Sequence, residues 1–194
     1  MSKRNAILAA ATRLFSRNGF KGTAMAELSA ATGAATGTIF HHFKNKEALF
    51  LEVLKNVKED IVEQFDCHQK TRSVRNGMEM VETAVAFYLH LAATMEEQFL
   101  ILHRHYPYQM AETSPVCRNH LEAIYTCLLD IFEEGIQAGT TDGSVAVDDP
   151  RKTAMVLFAM VDGIVRLNTY RVYDAGTLYD SLMAACHRLL TRGR

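Results

Sequence analysis

Residues 23–43, TAMAELSAATGAATGTIFHHF, place Gly33 between two short segments with helical spacing. Leu28 and Ile39 are the apolar residues expected to face inward, and Ser29 is small enough to let the two helices approach. The second segment, about seven residues and about 10 Å long, fits a DNA major groove about 12 Å wide. This spacing predicts a helix-turn-helix, and a helical hairpin with no DNA-binding function is the alternative.

The rest of the chain also has helical spacing and lacks the apolar–polar alternation typical of strands. Gly19 is expected to end the first helix, Thr23 to cap the second and Asn45 to cap the fourth. The predicted helices cover about residues 2–18, 23–32, 36–42, 45–65, 78–94, 96–106, 115–138, 150–170 and 177–190. The predicted fold class is all-α with about nine helices. A three-helix helix-turn-helix head (residues 1–47) is fused to a C-terminal helical bundle (residues 48–194).

Composition excludes several classes of protein. The chain has 194 residues, of which 48% are hydrophobic and 22% charged, which is typical of a globular protein. Its longest nearly apolar run, residues 84–93, is about half the roughly 20 residues that a transmembrane helix needs. Four cysteines without a C-x-x-C pair, and no secretory signal, predict reduced thiols in a cytoplasmic protein. No catalytic or metal-binding motif is present, so neither an enzyme nor a cofactor is predicted.

Charge is distributed unevenly along the chain. Residues 1–47 carry seven basic and two acidic side chains, a net charge of +5, whereas the remainder carries 14 basic and 20 acidic ones, a net charge of −6. This asymmetry is expected of a small module that faces a polyanion, attached to a body that does not. A solvated surface with accidental clustering is the alternative, and charge alone does not separate the two.

Three motifs in residues 7–54 resemble the N-terminal DNA-binding region of the tetracycline-repressor (TetR) family of bacterial regulators. They are LFSRNGF-x-GT, then ATG-x-x-x-GTIFHHF, then KNKEALF at the start of the fourth helix. The C-terminal segment EEGIQAG…DDPRKTAMVLFAMVDGI is also weakly similar to this family. Residues between about 65 and 130 show no resemblance, which is expected where family members bind different ligands.

The resemblance implies a double-stranded DNA operator as partner and assigns candidate contacts. Thr23 and Lys46 would contact phosphates, and the third helix would face the groove and its flanking backbone. Ala35 replaces the family's usual serine cap, Thr36 a frequent cation, and Phe40 a tyrosine that reaches a phosphate, so backbone affinity is expected to be lower than usual. The predicted DNA-binding residues are Thr23, Thr36, Gly37, Thr38, His41, His42 and Lys46.

The C-terminal body is expected to pair two copies and to bind a small molecule. The helix near 150–170 is apolar almost all round, so it must be buried on more than one side. The resemblance implies a homodimer through this helix and the one near 177–190. Tyrosines and histidines among apolar residues predict an effector pocket, with a helix-bundle surface as the alternative. The predicted ligand-binding residues are Phe99, Leu102, His103, Tyr106, Tyr125 and Arg166.

These features together predict a ligand-responsive transcriptional regulator, a repressor that binds a palindromic operator as a dimer and is released by a small-molecule effector. One alternative is a DNA-binding architectural or partner-controlled protein of the same fold without a small-molecule ligand. A second is a ligand-binding protein whose DNA-binding head has decayed, which the residues at 35, 36 and 40 would suggest.

Overall fold

The computed structural model describes residues 2–70 and 73–191. Within them it contains ten α-helices, one short 3-10 helix and no strand, so the all-α prediction is confirmed. The α-helices are α1 (Lys3–Gly22), α2 (Met25–Thr32), α3 (Thr36–His42), α4 (Lys46–Lys70), α5 (Gly77–Thr94), α6 (Glu96–Leu102), α7 (His105–Thr113), α8 (Pro115–Asp142), α9 (Pro150–Thr169) and α10 (Tyr179–Leu190), with the 3-10 helix at Ala175–Leu178. No helix of this described part is long and apolar enough to span a membrane. All four cysteines are free thiols, as predicted.

The predicted helix over residues 96–106 is wrong, because two helices, α6 and α7, occupy this region. Arg104 lies between them with extended backbone (φ −74°, ψ 157°). Pro107 falls in the first turn of α7, where its missing N–H costs no intrahelical hydrogen bond. A continuous helix would lose the bond to the carbonyl four residues earlier, so the chain restarts the helix just before the proline.

The chain divides into two compact units. Unit 1 comprises the chain up to Asp60 together with Met95–Ile124, and unit 2 comprises Ile61–Thr94 together with the chain from Tyr125 onward. Helices α4 and α8 each contribute residues to both units. The division into functional domains after residue 47 stays a prediction.

Unit 1 is built around α1. Its backbone bends at Gly19, whose φ of 71° is a conformation that favours glycine, and one further turn reaches Gly22. The rings of Phe15, Phe20 and Phe50 pack together at this bend, with centroid separations of 5.3–5.8 Å. The predicted end of the first helix is therefore a sharp bend followed by one more helical turn.

In unit 2, the first turn of α5 is capped by the end of α8. The backbone N–H of Gly77 donates to Asp142 Oδ2 at 2.7 Å, and that of Met78 donates to Ser144 Oγ at 3.1 Å. These bonds satisfy amide groups that a helix N-terminus leaves without intrahelical partners. They also hold α8 helical through Gly139, where the sequence predicted a loop, because α5 supplies a packing partner there.

Helix α9 begins as its sequence predicts, and one of its faces is buried. Asp149 accepts a hydrogen bond from the Lys152 amide at 3.0 Å, and Pro150 follows in the first turn. On the inner face, Asp162 Oδ1 accepts a hydrogen bond of 2.6 Å from the hydroxyl of Tyr88, which is only 2% exposed. The opposite face of α9 is exposed and largely apolar.

Candidate nucleic-acid interface

The helix-turn-helix is held by a short turn that fixes α3 against α2. Gly33 ends α2 in the left-handed conformation (φ 65°, ψ 6°), which glycine adopts without steric cost. The Ser29 hydroxyl donates to the Ala34 carbonyl at 2.7 Å and so closes the turn. Leu28 and Ile39 are 1% and 0% exposed, and they bury the inner faces of the two helices. The turn predicted at Gly33 and the inward positions predicted for Leu28 and Ile39 are confirmed.

The outer face of α3 is exposed. Beyond its chain neighbours and the backbone of its own helix, Gly37 has no atom within 4 Å of the position that a Cβ would occupy, so the space beside it is open. Ala35 holds the N-cap position and provides no side-chain cap. Four predicted DNA-binding residues on this helix are exposed and one is half-buried: Thr36, Gly37, His41 and His42 are exposed, and Thr38 is half-buried.

Lys46 begins α4. Asn45 caps this helix, as predicted, through its Oδ1, which accepts a hydrogen bond from the Ala48 amide at 2.7 Å. The Lys46 ammonium lies 4.6 Å from the centroid of the Phe20 ring, a distance at which a cation is attracted to the ring face. Partial burial lowers the pKa of Lys46, and the nearby carboxylate of Glu27 acts in the opposite direction.

Thr23 is buried and does not cap α2, which differs from the prediction. Ala24, not Thr23, is the N-cap of α2, so the predicted cap is wrong. The Thr23 side chain is 3% exposed, and its hydroxyl lies 2.8 Å from the Gly19 carbonyl and 3.1 Å from the Leu14 carbonyl, to which it donates. A hydroxyl has one proton to donate, and these carbonyls accept that hydrogen bond. We therefore assign no phosphate contact to this side chain.

Arg104 makes hydrogen bonds to α1 that the sequence did not predict. Its guanidinium donates to the carbonyl of Ser16 at 2.6 Å and to that of Arg17 at 2.9 Å. These carbonyls precede the bend at Gly19, where helix carbonyls lack intrahelical partners. Two residues further on, the Tyr106 ring stacks on Phe20 with a centroid separation of 4.1 Å. The sequence around this residue, His103-Arg104-His105-Tyr106-Pro107, does not show which groups the Arg104 side chain contacts.

The predicted ligand residues lie in both units and differ in exposure. Phe99, Leu102 and His103 are buried in unit 1, with 1–2% of each exposed. Burial, with smaller contributions from Glu47 and Cys117, raises the pKa of the unit 1 residue Tyr106 to about 12. In unit 2, Tyr125 is half-buried and Arg166 is exposed.

Unit 2 contains a small cavity of about 120 Å³ between α4, α5 and α8. It is lined by Phe65, Val74, Met80, Thr83, Ala84, Ile131 and Glu134, so its walls are mainly apolar with one carboxylate. Two open grooves of about 500 and 480 Å³ lie along α5 in the same unit. None of the six predicted ligand residues lines these three spaces, and their role stays a prediction.

Known proteins match the same part of the chain. Residues 7–53 match the family model of bacterial regulatory proteins of the tetR family. The HTH-type transcriptional regulator QacR of Staphylococcus aureus is 27% identical over 172 residues, 85% of each chain. The HTH-type transcriptional repressor BepR of Brucella suis is 28% identical over 172 residues, 84% of this chain and 78% of the relative.

Solved structures share the fold. The fatty acid degradation regulator FadR from Bacillus halodurans superposes with a TM-score of 0.79 at 19% identity, covering 100% of this chain and 98% of the other. A transcriptional regulator from Saccharomonospora viridis in complex with choline superposes with a TM-score of 0.80 at 19% identity, covering 98% of both chains. The first quarter of the chain therefore matches the tetR-family model, and the chain as a whole shares the fold of these solved regulators.

Proposed function

We propose that the protein is a dimeric repressor that binds a palindromic operator in the cytoplasm and is released by a small molecule. The observation that carries the proposal is the exposed outer face of α3, held in place by the buried side chains of Leu28 and Ile39. A helix presented in this way can enter the major groove, and its side chains can reach base edges.

Phosphate contacts are proposed to supply most of the affinity. Residues 1–47 carry a net charge of +5, and Lys46 stands at the N-terminus of α4, where amide groups also favour an anion. If a dimer neutralises about 4–6 phosphates, the plot of log affinity against log salt should have a slope of about −4 to −5. Base contacts from Thr36, Thr38, His41 and His42 would then determine which sequence is preferred.

The exposed face of α9 supports the proposed dimer. Val156, Ala159, Gly163 and Leu167 are exposed and follow one another at intervals of three or four residues, so they form one apolar stripe, called the α9 stripe here. Val156 and Leu167 are 51% and 38% exposed. The two small residues between them would let the same helix of a second copy approach closely. A two-fold dimer would in turn match a palindromic operator.

An apolar cavity with a polar group at its edge suits a small organic effector. The unit 2 cavity fits this description, with Phe65 and Met80 among its walls and Glu134 as its carboxylate. Two transcriptional regulators of the same fold have been solved in complex with stearoyl-CoA and with choline. The six predicted ligand residues are proposed as additional contacts.

Two features are proposed to carry the effector signal to the head. Helix α4 has 25 residues, so it is about 37 Å long, and it carries Lys46 at one end and Phe65, a wall of the unit 2 cavity, near the other. Arg104 holds the carbonyls at the bend of α1. A change in either feature would alter the separation of the two α3 helices, which must match about 34–36 Å or a multiple. A coupling free energy of about 1–3 kcal/mol would weaken operator binding about 5–150-fold.

Selection of bound duplexes from a random pool, followed by two substitutions, tests the proposal. Lys46→Ala is expected to weaken every duplex about equally, and the salt slope should become less negative by about 1 for each phosphate that the variant no longer neutralises. Thr38→Ala is expected to weaken the selected site more than a random duplex. Affinities are measured by fluorescence anisotropy at several salt concentrations.

Lys152→Ala is the control, because it removes an exposed lysine of α9 and should leave both affinities unchanged. Equal reductions in affinity for Lys46→Ala and Thr38→Ala on all duplexes would contradict the division into phosphate and base contacts. A small molecule that binds tightly without changing operator affinity would contradict the proposed release. Sequence-tolerant binding with no small-molecule ligand would favour an architectural or partner-controlled protein.

A further inference from the structure

Phe40 is an unusual residue for its position. The chain has ten phenylalanines, all within the described residues, and Phe40 is the only one that is exposed, at 43%. Its neighbours Ile39 and Phe43 are 0% and 5% exposed, so they provide the contacts that hold α3 in unit 1. Burying an aromatic ring is favourable, and this ring gains little of that free energy in the protein alone.

Phe40 lies on the face of α3 that is proposed to meet DNA. Thr36 precedes it by four residues and Gly37 by three, so these exposed residues lie on the same side of the helix. Gly37 adds no side chain on this face of the helix, and the space beside Gly37 is open. If α3 enters the major groove by this face, the Phe40 ring enters the groove with it and can reach base edges.

The chemistry of the ring limits which groups of the DNA it can contact. A phenyl ring has no hydrogen-bonding group, so it cannot bind a phosphate oxygen or the donors and acceptors of the bases. Thymine is the one base that presents a methyl group in the major groove. We propose that Phe40 determines sequence specificity by packing on the 5-methyl group of one thymine in each half-site. This inference rests on the proposed function, because it requires α3 to bind in the groove.

Deoxyuridine provides a direct test, because it differs from thymidine only by that methyl group. The duplex selected from a random pool by the wild-type protein is remade with each thymine replaced in turn by deoxyuridine. At one position per half-site, wild-type affinity is expected to fall about fourfold, and about fifteenfold when both half-sites are changed. Phe40→Ala is expected to bind the two duplexes equally well, whereas Phe40→Tyr, which keeps the ring, should retain the preference.

The outcomes separate this inference from the proposed function. If the wild-type protein binds its selected site but tolerates deoxyuridine at every position, or selects a half-site without thymine, only the role of Phe40 is overturned. If Phe40→Ala keeps the full preference for thymine, the role of Phe40 is likewise overturned. If the wild-type protein retains no duplex, the proposed function is overturned and this inference with it. Thermal melting of both variants should match the wild type, because the side chain is exposed.

Discussion

Ala159→Glu is expected to separate the proposed dimer into folded monomers and to weaken operator binding about 100-fold or more. Ala159 lies in the middle of the exposed α9 stripe, so its side chain can be replaced without disturbing the core of one copy. In a two-fold interface the substitution occurs twice and buries two carboxylates that have no partner. Each protomer then binds its half-site alone and loses the affinity that comes from joining the two heads.

Analytical ultracentrifugation measures the mass of the variant, circular dichroism its helix content, and fluorescence anisotropy its affinity for the selected duplex. Gln64→Glu is the matched control, because it adds the same charge at an exposed position of α4. This control should remain a dimer with unchanged affinity. An Ala159→Glu protein that keeps the dimeric mass and full affinity would show that the α9 stripe is not the interface.

Gly77→Ala is expected to destabilise the protein by at least about 3 kcal/mol and to lower its Tm by about 6–12 °C. A Cβ added at Gly77 would lie 1.9 Å from the amide nitrogen of Gly139, 2.2 Å from its Cα and 2.6 Å from the Gly135 carbonyl oxygen. These are backbone atoms, so the overlap cannot be relieved by rotating a side chain. Helices α5 and α8 would have to separate, and the hydrogen bond from Gly77 to Asp142 would break as they do.

Differential scanning calorimetry tests this expectation. Gly37→Ala is the matched control, because the same methyl group is added in a helix where no atom lies within 4 Å. The control should melt at the wild-type temperature or slightly above it, since alanine favours helix over glycine by up to about 1 kcal/mol. Equal melting temperatures for the two variants would mean that α5 and α8 do not meet at these glycines.

Local signals were sufficient for the turn, for α3 and for the start of α4. The turn at Gly33, the bounds of α3 and the cap at Asn45 depend on residues within four positions of each other, and the structure agrees with each. Capping side chains, glycine and proline act over one turn of helix, so their effects can be predicted without knowing the fold.

Contacts between residues far apart in the sequence could not be predicted from such local signals. Thr23 matches a helix-capping residue locally, but the bend at Gly19 turns its hydroxyl inward, so a candidate DNA contact is instead a buried residue. The same limit applies to Phe40, whose exposure depends on which face of α3 meets the rest of unit 1.

The sequence by itself determined an all-helical chain, a helix-turn-helix near residues 23–43 and a basic first quarter. Periodicity, turn chemistry and charge depend on residues that are close together in the sequence. Only the tertiary structure decided that α8 continues past Gly139 and that Arg104 holds the carbonyls before the bend of α1. In each case the deciding partner is more than 50 residues away or belongs to another helix, and the free energy of that contact outweighs the local preference of the segment.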